Sequence, residues 1–335
     1  MAPLRVGIDV SSLALTRAGT ARHIESLLEA LEHEPGLELR RYGLGGSSRA
    51  LVQVRDLGWY LAALPAMAKR EGVDVLHCPT HRAPVRSAVP LVVTFHDLAV
   101  LRHPETFNRW TRTYSRLALP RVAKAARRLI AVSEFTKREV LEMLDVAEEK
   151  VRVIPNAVGP PFEAQGDAAA GDYVLAVGTL EPRKNLGRLL DGFSRADLNG
   201  CRLLVAGMSG WGKVEVAGED IEWLGFVSDE RLASLYRGAR CVAYMSPYEG
   251  FGLPVLEAMA CGAPVVAGRN GATEEIAGPA AVLVDPLDPA AIAAGLAEAV
   301  DRADELRALG LERARAFEWR EVSRATVEVY REAVA

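Results

Sequence analysis

Short β-branched runs alternate with longer stretches of helical periodicity, and the series runs through the chain twice. In the first half the strand-like runs are 4–9, 37–42, 73–76, 91–95, 128–132 and 151–154, with helical patterns at 18–32, 53–70, 105–126 and 133–144. In the second half, runs at 173–177, 202–206, 241–244, 264–267 and 281–284 alternate with helical patterns at 185–194, at 229–237 and from 289 onward. Few folds accept this pattern: parallel strands need helical crossovers, and the helices then cover both sheet faces. Between the two series, P-N-A-V-G-P-P-F-E-A-Q-G-D-A-A-A-G-D concentrates turn residues without periodicity, which places a linker at 157–172. The expected fold is therefore α/β, with two doubly wound parallel-sheet domains at 1–156 and 173–317. In such sheets ligands sit at the carboxyl ends of the strands. A chain of 335 residues is long enough for two cores.

Residues 1–150 carry 22 Lys+Arg against 17 Asp+Glu, and the remainder 18 against 27. A basic first half beside an acidic second half suits a first domain that meets an anionic partner. Cys78, Cys201, Cys241 and Cys261 lack any C-x2-C spacing, so they read as buried small hydrophobes rather than a disulfide frame or a zinc site. No basic n-region precedes an apolar stretch, and no apolar run reaches about 18 residues. A cytoplasmic location is expected, with peripheral membrane contact left open.

Chemistry concentrates at 248–266, Y-E-G-F-G-L-P-V-L-E-A-M-A-C-G-A-P-V-V. Two carboxylates, Glu249 and Glu257, flank a Gly-Phe-Gly turn that opens a helix. A helix start offers unpaired N–H groups and a partial positive charge, hence an anion site. At roughly 1.5 Å per helical residue the two carboxylates lie up to about 12 Å apart, the span from the hexose of a nucleotide sugar to its ribose. Upstream, V-G-T-L-E-P-R-K-N-L at 177–186 sets Arg183 and Lys184 at a strand's carboxyl end, where cations neutralise a diphosphate.

These two segments resemble the signatures of glycosyltransferase family 4, retaining enzymes of the GT-B fold, and two further motifs do the same. I-D-V-S-S-L-A-L-T-R-A-G-T-A-R-H-I resembles the family's first strand-to-helix loop, and T-F-H-D-L (94–98) its T-x-H-D element. The resemblance implies two Rossmann-like domains facing each other across a cleft, the first on the acceptor side and the second holding the nucleotide sugar. It also implies a last helix, 318–335 with Trp319 near its start, that crosses back onto the first domain. The implied roles are Glu249 on sugar hydroxyls, Glu257 on ribose hydroxyls, and Arg183 with Lys184 on the diphosphate. Gly250, Phe251, Gly252 and Leu253 form the turn, the last two with backbone amides on phosphate. His96 stands beside the transferred sugar, and Gly19, Thr20 and Arg22 close the opposite wall. The turn Gly225–Asp229, with Phe226 and Val227, lies against the base. Two departures are Thr179, where many members carry arginine, and Ala157, where P-N-G-V carries glycine.

Other features narrow the reading. The stretch 207–214 fits G-x4-G-K, but Val214 stands where a Mg²⁺-binding hydroxyl is required, so an ATPase is rejected. No Asp-x-Asp triplet occurs, and neither a metal nor any other cofactor is expected. His77 and His81 are read as a proline-interrupted, acceptor-side loop rather than a metal pair. Residues 102–128 hold eight basic side chains against one acidic, with Trp110, Tyr114, Leu117 and Val122 interleaved. Such a helix suits anionic lipid or a lipid-linked acceptor as well as simple docking on its sheet. The expected partners are a nucleoside-diphosphate sugar and a saccharide or lipid-linked acceptor, not nucleic acid. The G-T-A-R and G-T-L-E-P-R-K-N forms look most like bacterial mannosyltransferases of polysaccharide assembly, which makes GDP-mannose the leading donor ahead of a UDP-hexose. A sugar-nucleotide epimerase and a silent nucleotide-sugar-binding protein remain alternatives.

Overall fold

The computed structural model describes residues 2–14, 19–46, 48–210 and 218–335. Ala18, part of the N-terminal loop (15–17) and the W-G-K-V of the rejected 207–214 stretch lie outside them. The chain forms two compact units, Met1–Asn156 with Trp319–Ala335, and Ala157–Glu318.

The first unit is built on β1 (Leu4–Asp9), β2 (Leu37–Tyr42), β3 (Val75–Cys78), β4 (Leu91–Phe95), β5 (Arg128–Ala131) and β6 (Val151–Val153). All pair in parallel, in the order β2-β1-β3-β4-β5-β6. Its helices are α1 (Gly19–Glu32), α2 (Arg49–Val54), α3 (Leu64–Arg70), α4 (Ala99–Arg102), α5 (Arg109–Ala125) and α6 (Glu134–Leu144). The central strands β3 and β4 are buried along their whole length, as a sheet covered on both faces requires.

Three expectations change here. The helix expected over 53–70 is interrupted by a π-helical segment, Arg55–Ala63, where the Leu64 N–H bonds Trp59 O. Wider turns bring the adjacent Trp59 and Tyr60 both inward, where they donate to the buried Asp9 carboxylate at 3.1 and 2.9 Å. The helix expected from 105 starts at Arg109, because Asn108 caps it by accepting from the Thr111 N–H. Strand β3 sits two residues later than expected. Gly72 turns the chain out of α3, and Asp74 is held in the turn by Arg5 at 2.9 Å. His77 consequently lies in β3 rather than in a loop. It is fully buried, and its ring nitrogens meet Tyr330 Oη and Thr94 Oγ1 at 2.7 and 2.9 Å.

The second unit holds β7 (Tyr173–Val177), β8 (Arg202–Ala206), β9 (Ile221–Gly225), β10 (Cys241–Tyr244), β11 (Val265–Gly268) and β12 (Val282–Val284). They too are parallel, in the order β12-β11-β10-β7-β8-β9. Strand β9 was not expected. It is an edge strand with Glu222 and Trp223 exposed, so its sequence lacks the apolar run that marks the others. The helices are α7 (Leu186–Arg195), α8 (Asp229–Gly238), α9 (Leu253–Ala260), α10 (Gly271–Ala277), α11 (Pro289–Asp301) and α12 (Ala303–Ala314). Residues 157–172 pack within this unit, where Arg237 donates to the carbonyls of Glu163 and Asp167 at 3.0 and 2.9 Å.

The final helix, α13 (Trp319–Val334), belongs to the first unit. Tyr330 Oη reaches His77, Ser323 donates to Glu34 at 2.6 Å, and Glu332 accepts from Arg128 at 2.9 Å.

Candidate active site

Strand order in the second sheet fixes where a ligand fits. From β7 the chain moves outward through β8 to β9, then returns to β10 on the other side of β7. Crossovers diverge at the β7–β10 junction, and the two loops leaving there frame a crevice. These loops are G-T-L-E-P-R-K-N after β7 and the Glu249 turn after β10, so residues 65 apart in sequence become neighbours.

Lys184 reaches this point because of the residue that follows it. Asn185 adopts the left-handed conformation at φ 57°, which asparagine tolerates better than most side chains. Its amide donates to Met245 O at 3.1 Å and Pro286 O at 2.5 Å, fastening the turn to the end of β10. Lys184 Nζ then donates to Glu249 Oε1 at 2.5 Å and Tyr244 Oη at 3.1 Å, and lies 5.3 Å from the centre of the Tyr244 ring. Arg183 Nη1 stands 3.8 Å from the same Glu249 oxygen and donates to Tyr248 O at 3.4 Å. Ser246 Oγ bonds the carbonyls of Arg183 and Tyr248 at 3.3 and 3.1 Å, closing the frame.

Glu249 is buried, and burial alone raises a carboxyl pKa. The charges of Lys184 and Arg183, with hydrogen bonds from Lys184 and Ser246, outweigh it and hold the group at about 2. Glu249 is thus a fixed anion at neutral pH. Tyr244 is pushed well above its ordinary value, first by burial and then by the charge of Glu249, with a smaller contribution from Glu257. One phenol therefore senses both carboxylates.

Glu257 lies inside α9, buried, and accepts from Tyr236 Oη at 3.1 Å. The α9 start falls at Leu253, so Glu249 precedes the helix and only Glu257 is helical. Gly252 at the N-cap takes φ 102°, a left-handed conformation costly for other residues. No side chain caps this end; Pro254 has no N–H and the Val255 N–H bonds Gly252 O at 2.9 Å, so the Leu253 amide and the helix dipole are what the turn offers an anion. The Phe251 ring is buried edge-on against Phe317 at 5.9 Å, so it anchors the turn and only its backbone is left for a ligand. Phe226 and Val227 follow the edge strand β9, with the Phe226 ring exposed.

The remaining expected residues belong to the first unit. Gly19 and Thr20 open α1 after β1, and Arg22 lies one turn in. His96 follows β4, with Nε2 3.0 Å from Pro79 O and its ring edge-on to His23 at 4.6 Å. Burial lowers its pKa, against the Pro79 hydrogen bond and the Asp97 charge, which favours the neutral imidazole. His81 is lowered to about 4, chiefly by burial.

Sequence reasoning missed Tyr244 and Tyr236. Tyr244 ends β10 at the crevice, where an aromatic with a polar tip is a signal in the sequence, whereas Tyr236, near the end of α8, is tied to the site only through its bond to Glu257.

Residues 7–160 match the model of Glycosyltransferase Family 4, and residues 162–316 that of Glycosyl transferases group 1. The chain is 31% identical to O-antigen chain mannosyltransferase B of Escherichia coli, over 88% of this chain and 81% of that one. Among solved structures it is similar to sucrose-phosphate synthase from Thermosynechococcus elongatus, with TM-score 0.79, 19% identity and 98% of each chain covered. It is also similar to Anabaena HepE in complex with UDP and glucose, with TM-score 0.74, 18% identity, and 97% of this chain and 98% of that one covered. Two parallel six-stranded sheets shared with such structures are the GT-B fold, and with both halves matched the chain belongs to glycosyltransferase family 4 and is a glycosyltransferase.

Proposed function

We propose that the enzyme moves a hexosyl group, mannosyl foremost, from a nucleoside-diphosphate sugar to a hydroxyl of a saccharide or glycolipid acceptor. The observation that carries this reading is the Lys184–Glu249–Arg183 cluster at the β7–β10 junction, beside the uncapped start of α9. Lys184 has three ammonium donors. Glu249 and Tyr244 take two, and the third serves a phosphate oxygen. The Leu253 amide, the α9 dipole and Arg183 add positive potential where the leaving diphosphate gains charge. Glu249, anionic and fixed, accepts from sugar hydroxyls; Glu257, oriented by Tyr236, accepts from the ribose.

Transfer proceeds with retention of configuration. The acceptor oxygen attacks the anomeric carbon from the face the diphosphate leaves, the carbon–oxygen bond to phosphate breaks, and the acceptor proton passes to the departing phosphate oxygen. Neutral His96 orients the sugar without taking the proton. Protein cations supply the charge on the diphosphate, so no metal enters the scheme.

Similarity to a mannosyltransferase favours GDP-mannose, and the neighbour holding UDP and glucose makes a UDP-hexose the second choice. A melting panel with GDP-, UDP- and ADP-sugars tests the proposal, because a ligand at 100 times its Kd stabilises by about 2.7 kcal/mol. One nucleotide sugar is expected to raise Tm and to be turned over slowly in water and faster with acceptor. If none shifts melting and none is turned over, the proposal fails.

A further inference from the structure

The first unit carries a helical stretch whose amphipathicity is inverted. From Leu51 to Ala68 the only charged residues are Arg55 and Asp56, and both are fully buried. Asp56 is paired with Arg82 and accepts from Trp110 Nε1 at 2.9 Å. Arg55 donates from Nη2 to Leu44 O and Gly46 O at 3.0 and 2.6 Å. The outer face instead presents Leu51, Val54, Leu57 and Leu61, exposed by 37, 54, 52 and 45%. Exposed pairs at 53–54, 57–58 and 61–62 alternate with buried pairs at 55–56 and 59–60, so Val54, Leu57 and Leu61 share the outer face, and Gln53, Gly58 and Ala62 beside them are exposed and uncharged. A scattered exposed leucine needs no explanation, but a contiguous apolar ridge marks an interaction surface.

Helix α5 runs against this stretch. Trp110 Nε1 and Tyr114 Oη both donate to Asp56, at its carboxylate and its carbonyl. Arg109, Arg112, Arg116, Arg121 and Lys124 lie on the exposed face of α5, with Leu117 exposed by 57% among them. The sequence holds no acidic residue from Thr106 to Ser133. A partner for this face must be apolar opposite the ridge and anionic opposite its border.

We propose that this face docks on an anionic lipid bilayer, with the leucines in the acyl boundary and the arginines on headgroup phosphates. A second copy of the chain fits less well, since two-fold packing of ridge on ridge would bring the two arginine borders together. The surface is independent of the donor site, so it stands or falls separately from the activity proposed above.

The test is co-sedimentation of the full chain with vesicles of phosphatidylglycerol and phosphatidylcholine, or of phosphatidylcholine alone. Wild type is expected to pellet with the anionic vesicles at low salt, weakly with the neutral ones, and less as salt rises. Leu57→Ser with Leu61→Ser, and separately Arg112→Glu with Arg116→Glu, are expected to cut anionic binding by about tenfold or more. All these side chains are exposed, so melting temperature and transfer to a water-soluble acceptor should stay at wild-type values. Wild type that does not pellet with anionic vesicles, or a leucine variant that pellets undiminished, overturns the proposal. A wild-type dimer that the leucine variant turns into monomer, with no vesicle binding, assigns the ridge to a second copy and overturns it as well.

Discussion

Lys184→Ala is expected to lower kcat/KM for the sugar donor by about 10³-fold, with the protein still folded at neutral pH. An ammonium about 4 Å from a phosphate charge in a partly buried site is worth about 4 kcal/mol, and about 1.4 kcal/mol is a factor of ten. Stability also falls, because Glu249 keeps its burial but loses the nearer of its two cations, retaining Arg183 at 3.8 Å and the Ser246 hydrogen bond. Breaking a buried pair costs about 3–5 kcal/mol; with the second cation in place about 2–3 kcal/mol is expected. The sign of the pH dependence follows from Glu249. Its folded value of about 2 lies below the ordinary 4.5. The stabilisation it provides is thus complete above pH 4.5 and disappears as pH falls through about 2. The gap in Tm between wild type and variant should therefore be wide at pH 7 and narrow across that window. Steady-state kinetics with melting curves at several pH values check both parts. An active variant with a pH-independent Tm gap would remove Lys184 from the site.

Gly207→Ala should cost about 3 kcal/mol and lower Tm by roughly 10 °C. A Cβ at position 207 would stand 1.9 Å from Gly178 O and 2.5 Å from Gly178 C. Both are backbone atoms, so no side chain can swing aside. The loops after β7 and β8 stay paired past the strand ends, with Gly178 N–H on Ala206 O at 3.0 Å and Leu180 N–H on Met208 O at 3.0 Å. A wedge at 207 pushes the β7 loop that carries Arg183 and Lys184, and donor turnover should fall with stability. Gly187→Ala is the control: it lies in α7 with nothing within 4 Å of its Cβ. Its expected effect is neutral, or stabilising by up to about 1 kcal/mol. Thermal melts of the two variants separate the cases.

The contrast between these glycines shows where sequence reading stops. Periodicity marks α7 and β7 because their burial is local, and the turn at Lys184-Asn185 is legible from residue types alone. That Lys184 bonds Glu249 is not, since it depends on β10 lying beside β7. Edge strand β9 escaped notice because only one side of it pairs and its side chains are wet. The inversion of the helix is not legible in the sequence, because the burial of Arg55 and Asp56 depends on Leu44, Gly46, Arg82 and Trp110 around them. His77 reads as a loop residue until a two-residue shift of β3 places it against Tyr330, more than 250 positions away. Motifs built on a strand end and its turn survive without a structure. Partnerships across the sheet do not.

Hydrogen exchange of the full chain with and without GDP-mannose or UDP-glucose tests most directly whether the β7–β10 junction holds the donor. The account predicts slowed exchange of backbone amides in 178–186 and 249–257, where the Lys184 turn and the start of α9 meet the nucleotide sugar. Amides of the 51–63 ridge should stay unchanged. Protection confined to other segments, by a donor that the enzyme demonstrably turns over, would contradict it.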